Sequence, residues 1–163
     1  MDLQAIAKEI LEGVQEWESR LKALNEEVIS QRRNDQNRSI RMITGHMVDS
    51  ASNNTHRIVH LQYRKSPLSF PNYATRGNND RWIAIQHYQE ENWKNLVQHW
   101  KYIHLHLVHV ISYVDESMLE QEWIAGPEEG KMTLAKMIEN FPRHFRLHID
   151  EIDALIKQGV LWD

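Results

Sequence analysis

Four stretches of this chain carry apolar residues at three- and four-residue spacing, over lengths that only helices use. The first runs from Asp2 to about Arg33 through Leu3, Ile6, Ile10, Val14, Trp17, Leu21, Leu24 and Val28, with Gly13 its one weak helix former. The second runs from about Ile40 to Tyr63 through Ile43, Met47, Ala51, Ile58 and Leu61, and Ser39 is placed to cap it. The third sets Trp93, Val97, Trp100, His104, Leu107, Ile111 and Val114 on one face. The fourth starts behind Thr133 as N-cap and carries Leu134, Met137, Ile138, Phe141, Phe145, Ile152, Leu155 and Ile156. It ends near Gln158-Gly159, where glycine suits the C-cap. Pro142 inside it removes a backbone hydrogen bond and predicts a kink. Lys65 to Asn79 and Asp115 to Lys131 read as connections, broken by Pro67, Pro71, Gly77, Gly126-Pro127 and Gly130. Asp80 stands where it would cap a short helix through Trp82 and Ile85. A single apolar stripe must be buried against others, so the expectation is all-α: one domain over residues 1–163, a four-helix bundle.

Composition narrows the chemistry. With no cysteine among 163 residues, disulfides, thiolate metal sites and a cysteine nucleophile are excluded, and any metal must be held by nitrogen and oxygen. The net charge is −4 and the only basic concentration is Arg32, Arg33, Arg38 and Arg41, read as a solvated helix connection, so nucleic acid is not an expected partner. No apolar run approaches the roughly 20 residues that span a bilayer, and the N-terminus lacks a signal-peptide core. The expectation is a cytoplasmic protein with no membrane partner.

The ten histidines are where chemistry concentrates. His144 and His148 are four apart, which places both imidazoles on one helical face, and that face is the apolar stripe of the fourth helix. A buried imidazole needs a hydrogen bond or a metal. His46 lies beside the stripe of the second helix, and Ser50, Asn53 and Arg57 continue above it as a polar ladder, with Asn54 between them and the apolar centre. His56 and His60 repeat the spacing, but His56 faces away from the core and His60 is roughly 21 Å of helix rise from His46. His104 reads as a hydrogen-bonded core residue, and His87, His99, His106 and His109 as surface. Trp82, Trp93 and Trp100 read as packing.

The segment GHMVDSASNNTHRIVHLQ, Gly45 to Gln62, closely resembles the G-H-[LM]-x-D-S-A-x-N-N-x-x-R-x-V pattern of the DinB-like (YfiT-related) superfamily. The similarity continues through Phe70-Pro71-Asn72-Tyr73 and Asp80 to Trp93, and ends in H-x-x-x-H-x-x-x-I of the last helix. The resemblance implies a four-helix bundle with one divalent metal between helix 2 and helix 4, held by His46, His144 and His148. It implies a metal-dependent hydrolase or thiol S-transferase acting on a small molecule, with a low-molecular-weight thiol as a candidate cofactor, and a homodimer. The alternative is a non-catalytic metal-binding or stress-linked bundle. Three imidazoles leave coordination positions open and suit zinc, nickel or iron(II) alike. Where relatives usually have glutamine, this chain has Glu151, three residues after His148, a candidate to orient a histidine or accept a proton. Asp49 is a second catalytic candidate, although its wheel position turns it from His46 towards solvent. Asn53, Asn54 and Arg57 are candidate pocket lining.

Overall fold

Ser39 and Thr133 start their helices as the sequence predicts. Their hydroxyls accept the backbone N–H groups of Met42 and Lys136, satisfying donors that a first helical turn leaves open. A computed structural model describes residues 1–73, 77–126 and 130–158. Among them are six α-helices: α1 Leu3–Lys22, α2 Glu26–Gln31, α3 Ile40–Leu61, α4 Asn78–Ile85, α5 Trp93–Ser112 and α6 Leu134–Lys157. The expected C-cap Gly159 lies outside the described residues.

Helices α1, α3, α5 and α6 form the bundle. Both α1 and α3 lie against α5 and α6, so α1 faces α3 across one diagonal and α5 faces α6 across the other. The core is the set of stripes read from the sequence, from Ile10, Leu21 and Ile43 to Trp100, Leu107, Leu134 and Ile152, all essentially solvent-free. Burying each such side chain stabilises the fold by about 1.5–3 kcal/mol before entropy is counted. Gly13 has a packing reason. A Cβ there would stand 2.7 Å from the Phe145 ring, so glycine lets α6 approach α1. None of the helices described is long and apolar enough to cross a membrane.

The structure corrects four expectations. The first long helix is two, because the Asn25 side chain accepts the Val28 N–H and starts α2 afresh. Gly77, in a left-handed conformation, occupies the N-cap of α4; Asp80 sits in its first turn and binds Arg38 instead. The arginine cluster is not a solvated connection. Arg38 and Arg41 are buried, paired with Asp80 and Glu26, and Arg32 donates to the carbonyls of Leu155 and Ile156. The connections hold a small sheet: β1 (Leu68–Ser69) runs parallel to β2 (Glu122–Gly126), which pairs antiparallel with β3 (Gly130–Thr133). This hairpin is closed at its base. Leu134 N–H donates to Gln121 O at 2.8 Å and Ala135 N–H to Leu119 O at 2.9 Å, so the chain enters and leaves at one point, directly before α6.

Candidate metal centre

His46 from α3 and His144 and His148 from α6 meet where these two helices pack. One nitrogen from each ring lies within 4.8 Å of the other two. The Nε2 atoms of His144 and His148 are 3.2 Å apart. The His46 ring stands edge-on to both, its centroid 4.7 Å from His148 and 5.7 Å from His144. Three nitrogens bound tetrahedrally to zinc at 2.0–2.1 Å lie about 3.4 Å from one another. The cluster matches that spacing closely enough that small side-chain rotations would complete it.

Protonation favours the same reading. Glu151 Oε2 lies 2.8 Å from His148 Nδ1. The carboxyl of Glu151 is held below its ordinary range, first by that hydrogen bond. An ionised carboxylate only accepts, so Nδ1 of His148 carries the hydrogen of that bond and Nε2 is the nitrogen turned into the cluster. His144 Nδ1 is 3.3 Å from Ser50 Oγ, which leaves its Nε2 facing that of His148. Desolvation, with the neighbouring imidazoles adding to it, pushes His46 down to about 2 and His144 down to about 4. Both are therefore neutral at pH 7, the form that ligates metal. The Nδ1 of His46 is buried with no hydrogen-bond partner among the described residues.

The turn that places His46 is set by its neighbours. A Cβ at Gly45 would fall 2.2 Å from the Tyr88 ring, so glycine lets Tyr88 lie against α3. The Tyr88 hydroxyl donates to Asp49 Oδ1 at 2.8 Å, and Gln86 Nε2 donates to the same oxygen at 2.7 Å. Asp49 is thus buried and engaged rather than turned to solvent. Burial raises its carboxyl despite those two donors. It does not join the histidine cluster.

A cleft of about 230 Å³ opens against His144, lined from α3 by Ser50, Asn54 and Arg57. Of the expected lining, Asn54 and Arg57 are there. Asn53 is not; its amide donates to the Asp49 carbonyl in a buried setting. Tyr73, Trp123 and Met132 also stand on the wall, and of these three only Tyr73 belonged to a segment singled out in the sequence. The signal for Trp123 is the short apolar run Trp123-Ile124-Ala125 before the breakers Gly126-Pro127, the pattern of a brief strand entering a turn. The other histidines stand as read. His56, His87, His99, His106 and His109 are exposed, whereas His104 is buried with its Nδ1 2.6 Å from the Trp100 carbonyl. Trp93 and Trp100 are core; Trp82 is partly exposed, its ring 5.4 Å from Tyr73.

No family model matches the sequence, and no curated protein does. In three dimensions the chain is similar over 99% of its length, and over 89% of the other chain, to YfiT from Bacillus subtilis, with a TM-score of 0.83 and 12% identity. That protein is described as a probable metal-dependent hydrolase with an unusual four-helix bundle topology. At this identity the likeness speaks for the fold: the chain is a YfiT-like four-helix bundle carrying a three-histidine cluster.

Proposed function

We propose that this protein is a metal-dependent enzyme in which His46, His144 and His148 hold one divalent ion, zinc, nickel or iron, for hydrolysis or thiol transfer on a small molecule. One observation carries the reading. The Nε2 atoms of His144 and His148 face each other at 3.2 Å with the His46 ring edge-on to both, so one nitrogen from each of three imidazoles, all within 4.8 Å of one another, converges on a point that a single cation can fill. An ion held there supplies the Lewis acidity that makes a water or a thiol nucleophilic near neutral pH.

The chain's own residues supply the rest. Glu151 fixes the tautomer of His148. Its Oε2 is committed to Nδ1, so we assign it to orienting the ring rather than to proton transfer. Ser50 steadies His144 in the same way at longer range. Asp49 acts further out, tying α3 to Tyr88 and Gln86 and so holding the turn that carries His46. Asn54 and Arg57 line the cleft in which a substrate would lie beside His144. The YfiT-like fold, shared with a probable metal-dependent hydrolase, supports hydrolysis; thiol transfer rests on the sequence resemblance alone.

The test is elemental analysis of the protein and its His144→Ala variant, both made without an affinity His-tag. About one equivalent of a divalent metal in the parent and little in the variant is expected. Absence of metal from both after incubation with each ion would overturn the reading.

A further inference from the structure

The cleft beside His144 is cationic in a chain that is not. Among the described residues its lining holds two guanidinium groups, Arg57 and Arg143, and no carboxylate, although the whole chain carries a net charge of −4. Arg143 is exposed and Arg57 is not; the latter retains only 4% of its accessible surface. A buried guanidinium normally comes with a carboxylate, because its desolvation is otherwise uncompensated. Arg38 and Arg41 on the same side of the sequence follow that rule, each paired with an acid. Arg57 has no acidic partner among the described residues. Its one hydrogen bond there is a 3.4 Å contact to Asn72 Oδ1, and its Nε is buried without a partner.

What holds Arg57 is aromatic. Its guanidinium carbon lies 4.0 Å over the Trp123 ring and 5.8 Å from the centre of Tyr73. Cation–π contact fixes the plane of the fork but leaves its in-plane N–H donors uncommitted. Desolvation pulls this arginine down to about 10, still protonated at neutral pH.

We infer that Arg57 is the oxyanion subsite of this cleft, so that the small molecule taken here carries a carboxylate or phosphate at one end and its reacting group beside His144 at the other. The spacing follows from α3. Arg57 lies seven residues beyond Ser50 on the same helical face, roughly 10 Å of rise, and Ser50 touches His144. A substrate of one ring or a short chain spans that distance. Arg143 at the rim adds long-range attraction and no fork geometry. The inference deepens the proposed function, and rests on it for the placing of the reacting end only.

Benzoate, phenylphosphate and neutral benzyl alcohol are the probes. Titrations of the full-length protein, zinc-loaded and metal-free, would be followed by calorimetry and by the Arg57 Nε–H resonance in ¹⁵N-labelled protein. One or both anions should bind at least tenfold more tightly than benzyl alcohol and shift that resonance. Which anion wins separates a carboxylate from a phosphate substrate. Arg57→Gln should lose at least tenfold in anion affinity, Arg57→Lys less, and Arg143→Gln about twofold, with zinc content unchanged in all three. Equal binding of benzyl alcohol, or unchanged anion affinity in folded Arg57→Gln, would overturn the inference. Because anion binding is read in metal-free protein as well, its failure is distinguishable from a failure of the metal site.

Discussion

The bundle buries histidine in two ways, and the contrast between them separates packing from chemistry. His104 on α5 is almost solvent-free, its Nδ1 bonded to the Trp100 carbonyl one turn back and its ring set among Trp100, Phe141 and Phe145. Its Nδ1 finds its partner within its own helix, and the rings around it offer packing rather than further ligating nitrogens. His46 and His148 are buried as well and His144 half-buried, but these three bring their nitrogens together, with a carboxylate and a hydroxyl steering two of the rings from behind. Burial alone therefore says little about a histidine. What matters is whether its lone pairs converge on those of others.

The strongest way to break the contrast is His148→Ala. Metal content should fall from about one equivalent to near zero, and the stabilisation by bound metal should go with it, about 4 kcal/mol at a thousandfold excess over Kd. Chelation of the parent should reproduce the loss, and thermal melts with and without chelator measure both. His104→Ala should do the reverse. A cavity among aromatic rings costs about 2–4 kcal/mol, visible in the urea midpoint, while elemental analysis still finds the metal.

Acid should sharpen the comparison. His104 is pushed by burial down to about 4, against an ordinary 6.5 in the unfolded chain. Its neutral form is the one the fold accepts, so its contribution is complete above pH 6.5 and is lost as pH falls to about 4. Across that window the unfolded state binds the extra proton, so stability rises with pH. His104→Leu, measured metal-free, should flatten the curve by at most about 1.4 kcal/mol per pH unit. A parent and variant with parallel curves would show that His104 is not buried neutral. The smallest effect expected is that of Glu151→Gln, which keeps a hydrogen-bond acceptor but removes the charge behind His148. Metal affinity should weaken by roughly 10-fold, near the low end for such outer partners, in a competition titration against a chelator.

How far the sequence carried depended on the range over which each signal acts. The stripes of α1, α3, α5 and α6, the caps at Ser39 and Thr133, and the shared face of His144 and His148 are properties of neighbours in the chain, and they were legible. The three-histidine cluster needed the G-H-M-x-D-S-A-x-N-N resemblance to bring His46 to a pair almost a hundred residues away. Three features were not legible because their partners are distant. Asp49 is turned inward by Tyr88 and Gln86, which belong to a connection; Arg38 and Arg41 find acids on α4 and α2; Trp123 becomes cleft wall only when its hairpin folds against Arg57. A helical wheel sees one helix at a time and cannot register any of them.

The closed base of the hairpin has a consequence for how such a protein can change. β2 and β3 leave and rejoin the bundle at one point, clipped by Leu134 and Ala135 to Gln121 and Leu119, and His144 follows ten residues after Leu134 on an independently capped helix. The hairpin is a cassette. Its sequence, and even its length, is expected to vary without moving His144, so Trp123 and Met132 can be exchanged to retune which molecules the cleft admits while the histidine cluster is inherited intact. In the enzyme proposed above, selectivity and reactivity are separable parts of the chain, and evolution or an engineer can work on one without disturbing the other.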